Sequence, residues 1–153
     1  MEKKPKILLV DDEPSLVKIV SRRLEAEGFD VCVAMDGEEA LHQTASEDPR
    51  LIILDVMLPK LTGYEVCRRL KTDPKYRRIP IILFTAKVQA RDETIGFEAG
   101  ADAYLRKPFR APELIEKINA LLRPNAQQEG GEKSGDKPYT NERRTIPEDP
   151  FGG

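Results

Sequence analysis

Two short runs, Ile7–Val10 (ILLV) and Leu51–Leu54 (LIIL), are apolar at every position. A strand with one wet face alternates apolar and polar residues, so a strand without that alternation must be covered on both faces. A parallel sheet with helices on each side provides that cover. Val31–Ala34, Ile79–Phe84 and Ala103–Leu105 bring the set of strand-like runs to five. Between them the apolar period changes to that of a helix. Leu16, Val17, Val20 and Leu24 recur at helical spacing after Pro14, which suits a first turn, and Gly28 suits the stop. Glu38–Ser46, Tyr64–Lys71 and Lys87–Ala99 read as further helices. Leu114, Ile115, Ile118, Leu121 and Leu122 mark a last one that stops before Pro124. Five strands alternating with five helices predict an α/β fold, a doubly wound five-stranded parallel sheet.

Residues 1–123 form the predicted domain. After it the texture changes. Five of the ten glycines fall in residues 124–153, where only Ala126, Tyr139, Ile146 and Phe151 are apolar. Such a stretch buries too little surface to offset its ordering entropy, so residues 124–153 are expected to be a disordered polar tail or linker. The tail carries four basic and six acidic residues, which leaves the first 123 residues formally neutral with 21 of each sign. That balance argues against direct attraction to nucleic acid. No apolar run approaches the roughly 20 residues of a membrane helix, so no membrane insertion is expected. The N-terminus lacks the pattern of a secretory signal, and a cytoplasmic location is expected. Cys32 and Cys67 have no metal-like spacing and read as reduced packing residues.

The first strand ends in Asp11, Asp12 and Glu13, a repulsive sequel to a core run. In open parallel sheets ligands bind outside the carboxyl ends of the strands. Asp55 follows the third strand, Thr85 the fourth, and the fifth leads to Lys107. All fall at that one edge. Three carboxylates placed together repel unless a cation joins them. Hard oxygen ligands on a loop edge suit Mg²⁺, which keeps several waters and also binds phosphate oxygens. Thr85 and Lys107 are left to hold an anion, so the set reads as phosphoryl transfer to a carboxylate.

The motifs LLVDDEP, LDVMLPKLTG, ILFTA and GADAYLRKPF occur in an order and spacing that closely resemble the receiver domain of bacterial two-component response regulators. The resemblance covers about residues 6 to 123. It implies the flavodoxin-like strand order 2-1-3-4-5. It also implies that Asp55 is the phosphoacceptor, attacking the phosphorus of a phosphohistidine on a histidine kinase or phosphotransfer protein. Asp12 would ligate Mg²⁺ directly, Asp11 through water, and the Met57 backbone carbonyl would complete the protein's share of the shell. Thr85 and Lys107 would each hold a phosphoryl oxygen, with a cis bond between Lys107 and Pro108. Thr85 and Tyr104 match the switch pair, and Met57 and Lys87 flank the approach of hydrolytic water. The face built from residues 87–122 would meet a downstream protein partner or form a homodimer, although the family's paired acids are reduced here to Asp102 before Ala103.

Each residue also has a plainer reading. DDE could be a solvated turn, Asp55 a helix cap, Lys107 a surface lysine and Tyr104 strand packing. His42 stands alone and reads as an ordinary helix residue. Three other functions fit less well. A flavin-binding flavodoxin would need a phosphate-cradling loop where DDEP stands. An aspartyl phosphatase would need an acid two residues after Asp55, where Met57 stands. A scaffold without chemistry would not need Thr85 and Lys107 beside the acids. The expected protein is therefore a signalling receiver, catalysing only its own phosphorylation and dephosphorylation, or the receiver part of a longer response regulator.

Overall fold

The computed structural model describes residues 4–86, 95 and 98–123. Its strands are β1 (Lys6–Val10), β2 (Asp30–Ala34), β3 (Leu51–Asp55), β4 (Ile81–Thr85) and β5 (Ala103–Arg106), all parallel, in the order β2-β1-β3-β4-β5. Its helices are α1 (Pro14–Ala26), α2 (Gly37–Glu47), α3 (Gly63–Lys71) and α4 (Ala111–Leu122). The helix expected over residues 87–99 lies outside the described residues, apart from Ile95, Glu98 and Ala99.

The unbroken apolar runs have the cause their composition implied. Successive strand side chains point to opposite faces. Leu8, Val10, Ile52, Leu54, Ile81 and Leu83 join one buried cluster with Ala40, Val66, Cys67 and Leu70 of α2 and α3. Ile7, Leu9, Leu51, Ile53, Ile82 and Phe84 join the other, with Val20, Leu24, Leu114 and Ile118 of α1 and α4. Both cysteines are free thiols. Burial pushes the Cys67 thiol up to about 12, so it remains protonated.

Local chemistry fixes the element ends. Pro14 opens α1. Gly28 closes it at a φ of +98°, with Gly28 N–H donating to the Glu25 carbonyl (3.0 Å) and Phe29 N–H to the Leu24 carbonyl (3.1 Å). This paired stop needs a left-handed residue at the glycine and a hydrophobic contact across it, which Phe29 and Leu24 make in the second cluster. The Asp36 carboxylate caps α2 by accepting from Glu39 N–H, and the Thr62 hydroxyl caps α3 by accepting from Glu65 N–H. The fourth strand begins at Ile81, two residues later than its apolar run suggests. Ile79 N–H is held in a turn by the Tyr76 carbonyl, and Pro80 has no N–H for the ladder.

Candidate functional site

The carboxyl ends of β1, β3, β4 and β5 meet at one edge. Asp11 directly follows β1; it is buried, and its N–H bonds the Ala34 carbonyl at the end of β2. Asp12 beside it is exposed. Asp55 ends β3 and is 5% exposed, and Thr85 ends β4 fully buried. Lys107 leaves β5 with its N–H on the Thr85 carbonyl (2.8 Å), followed by a cis bond to Pro108.

One oxygen from each of Asp11, Asp12 and Asp55 lies within 4.8 Å of the others. Lys107 Nζ bridges two of them, donating to Asp11 Oδ2 at 3.1 Å and lying 3.5 Å from Asp55 Oδ2. The remaining oxygens face backbone donors, Glu13 N–H on Asp11 Oδ1 (2.9 Å) and Met57 N–H on Asp55 Oδ1 (3.3 Å). Below the ammonium, 4.8 Å away, lies the ring of Phe84, against which Phe109 packs edge-on. The aromatic face attracts the cation and denies it other company.

The charges do not cancel. Burial, and then Asp11, push the Asp55 carboxyl up to about 6, against the opposing pull of Lys107. Burial works against the Lys107 charge, but hydrogen bonding to Asp11 and the field of Asp55 outweigh it and leave its pKa raised. Lys107 therefore stays a cation between acids that exceed it in number. An edge of three clustered oxygens with an uncompensated negative charge has the donor chemistry of a hard divalent cation.

The predicted residues thus converge, with two qualifications. Lys87 lies outside the described residues. Met57 is 57% exposed two residues after Asp55, and Tyr104 is half-buried against the cluster beneath α2 and α3. Asp102, read from sequence for its bearing on a dimer face, is held by Lys71 Nζ (2.8 Å) and by Ile81 N–H (2.8 Å). Sequence reasoning missed Gly63, where a Cβ would collide with the Asp55 carbonyl oxygen, and missed the Phe84 ring under Lys107. A glycine after a capping threonine gives no sign of a close approach, and Phe84, one residue before Thr85, reads only as strand packing.

The family model of the response regulator receiver domain matches residues 7–119. The chain belongs to this receiver family. Among curated relatives, this receiver is 44% identical over 136 residues to the alkaline phosphatase synthesis transcriptional regulatory protein PhoP of Bacillus subtilis, covering 85% of this chain and 56% of PhoP. It is also 44% identical over 119 residues to the DNA-binding dual master transcriptional regulator RpaA of Synechocystis, covering 78% of this chain and 49% of RpaA. The chain therefore spans about half the length of these relatives. Among solved structures, chemotaxis response regulator CheY4 of Vibrio cholerae superposes with a TM-score of 0.74 at 32% identity, covering 78% of this chain and all of CheY4. The receiver domain of sensor histidine kinase PA1611 from Pseudomonas aeruginosa, with magnesium coordinated in its active site cleft, gives 0.73 at 31% identity over 78% of this chain and 98% of that one. Receivers of this family act as signalling proteins between histidine kinases and effectors and bind Mg²⁺ at an acidic pocket. Among the described residues no helix is long and apolar enough to cross a membrane.

Proposed function

We propose that Asp55 accepts a phosphoryl group from the phosphohistidine of a histidine kinase or phosphotransfer protein. The observation that carries this reading is the Lys107 ammonium bridging Asp11 and Asp55 inside a triad of carboxylates. A carboxylate oxygen of Asp55 attacks phosphorus in line, the P–N bond breaks as the P–O bond forms, and the electron pair leaves on the donor imidazole. Lys107 is close enough to Asp55 to pair with one phosphoryl oxygen, and the Thr85 hydroxyl is the donor for another. Mg²⁺, when bound, neutralises charge on the transferring group. Asp12, exposed and in no ion pair among the described residues, Asp55 and the Met57 carbonyl suit direct contact with that ion. Asp11 suits contact through water, because Glu13 N–H (2.9 Å) and Lys107 (3.1 Å) hold its oxygens more closely than Met57 N–H (3.3 Å) and Lys107 (3.5 Å) hold those of Asp55. Incubation with Mg²⁺ and acetyl phosphate is expected to add one phosphoryl group, read by intact-mass spectrometry. An unchanged mass would refute the reading.

A groove of about 450 Å³ next to the site supports docking of the donor. Leu16 and Ile19 of α1 line it with Phe109, and Lys107 belongs to both groove and site. Ile19 is 69% exposed, more than any other large hydrophobic residue described. A donor seated there brings its phosphohistidine to the edge where Asp55 waits. The charge gained at Asp55 would then shift a pre-existing equilibrium through Thr85 and Tyr104 toward a partner-binding state of the 87–122 face. The partner is a downstream protein or a second copy of this chain. The length of the relatives favours a second reading, in which that face switches an output domain of the same polypeptide. The receiver itself, formally neutral, would make no direct contact with nucleic acid, and a kinase partnership would suit a cytoplasmic location.

The lifetime of the phosphoryl group depends on water attacking phosphorus opposite the Asp55 oxygen. Met57, exposed and two residues after Asp55, would flank that path; with no donor and only a weak acceptor sulfur it would orient water poorly and could cover the group. Lys87, long and singly charged, is expected to position water little. Self-dephosphorylation should therefore be slow, and Met57→Asn should accelerate it. A tenfold gain corresponds to about 1.4 kcal/mol in the barrier. Decay of the phosphorylated protein after donor removal, in excess Mg²⁺, measures this; equal rates would exclude Met57 as the timer.

A further inference from the structure

At the opposite end of the sheet, beneath the starts of β3, β4 and β5, lies a second groove of about 560 Å³. Its apolar floor is Pro49, Ile79, Pro80, Leu121 and Leu122, all buried or half-buried. Its rim carries Arg50, Arg78 and Arg123, all exposed and, among the described residues, in no ion pair. Two acids also line it. Asp102 is engaged by Lys71 and Ile81 N–H, which leaves Asp48 facing three guanidinium groups. In a domain that is formally neutral, this is a local excess of unpaired positive charge over an apolar floor.

The chain continues from Arg123, on the rim itself, into residues 124–153. Near their far end is the stretch Ile146-Pro147-Glu148-Asp149-Pro150-Phe151, two adjacent acids between apolar residues. We propose that this acidic-apolar segment docks in the Arg50–Arg78–Arg123 groove, with Glu148 and Asp149 on the guanidinium rim and Ile146 or Phe151 on the floor. Arginine forks pair with carboxylates in two-point geometry, which a lysine rim would not offer. The two prolines restrict the free segment and lower the ordering cost of holding it. A stretch too polar to fold alone needs no core of its own when a folded surface supplies one.

Tether length agrees. Twenty-two residues lie between Arg123 and Ile146, chain enough to return to the rim where they begin. Attachment sets an effective concentration on the order of 1 mM, so a weak contact suffices for substantial occupancy. The contact is electrostatic at the rim and therefore salt-sensitive.

The test uses the full chain. Amide signals of Arg50, Ile79, Asp102 and Leu122 are recorded by ¹H–¹⁵N NMR at about 0.05 M salt, where screening is weak, in the wild type and in E148K/D149K. The variant should shift these signals and leave those of the β1–β3 phosphoacceptor edge in place. High salt should move the wild type toward the variant's positions, and R78E should reproduce the shift. Combining R78E with E148K should partly restore the wild-type positions. Unmoved groove signals, or shifts confined to another surface, would overturn the proposal. Shifts that grow with protein concentration would assign the segment to a second copy and equally overturn docking within one chain.

Discussion

Asp55→Asn is expected to abolish phosphoryl labelling and, in the same protein, to raise the stability of the metal-free state. The first effect follows because an amide is no nucleophile toward phosphorus, while Lys107 and Thr85 remain to hold the anion. The second follows from the site's charge balance. Burial and Asp11 push the Asp55 carboxyl up to about 6, well above the range of an unfolded aspartate near 4. Between those values the folded protein binds the extra proton and the unfolded chain does not, so stability falls as pH rises through the window and the loss is complete above about pH 6. Asparagine carries no such penalty. The variant should exceed wild type by roughly 1–2 kcal/mol at pH 7, with the difference fading toward pH 4. Urea unfolding in chelator across that range measures it. A wild-type stability that climbs from pH 4 to pH 7 relative to the variant would contradict the charge assignment, and equal labelling of both proteins would move the acceptor elsewhere.

Titration with Mg²⁺ should produce the second large effect. An ion that binds only the folded state stabilises it by about 2.7 kcal/mol at 100 times its dissociation constant. The gain should be largest near neutral pH, where Asp55 is ionised, and shrink as acid protonates it. Asp12→Ala should remove most of this response and stabilise the metal-free protein, because it relieves repulsion within the 4.8 Å triad without taking a partner from Lys107. A wild-type melting curve that ignores Mg²⁺ would refute the metal reading, and a full response in the Asp12 variant would assign the ion to other ligands.

Much of this site could be read from the sequence because strand ends are sharply written. The runs ILLV and LIIL fix where β1 and β3 stop, and whatever follows them must lie at the sheet's carboxyl edge. That places Asp11 and Asp55 without any knowledge of contacts, and the same reasoning places Thr85 and Lys107. What could not be read is distance across the chain. Nothing in the spacing says that Lys107 sits nearer Asp11 than Asp55, or that a phenylalanine face lies beneath it. The start of β4 is hidden because Ile79 is apolar enough for a strand, whereas Pro80 decides the ladder through a missing donor. Lys71 reads as the solvated end of a helix. In the fold it reaches the carbonyls of Arg77 and Ile79 as well as Asp102, a convergence that only tertiary structure creates.

The missing side chain at Gly63 has a mechanical consequence. With no Cβ in the way, the first turn of α3 rests directly on the backbone of Asp55 and Val56, and Gly63 N–H bonds the Val56 carbonyl at 2.9 Å. At the start of α2, Gly37 sits comparably tight against Leu61 of the loop before α3, with its N–H on the Pro59 carbonyl. These two contacts brace the α2–α3 flank of Asp55 like a buttress with no clearance. Close-packed backbone transmits force but yields little. A phosphoryl group gained at Asp55, on the proposed reading, would find little give on that flank, and its push would be directed sideways along the sheet, toward the ends of β4 and β5. The direction of such a signal would then be set in part by two hydrogen atoms standing where side chains would otherwise be.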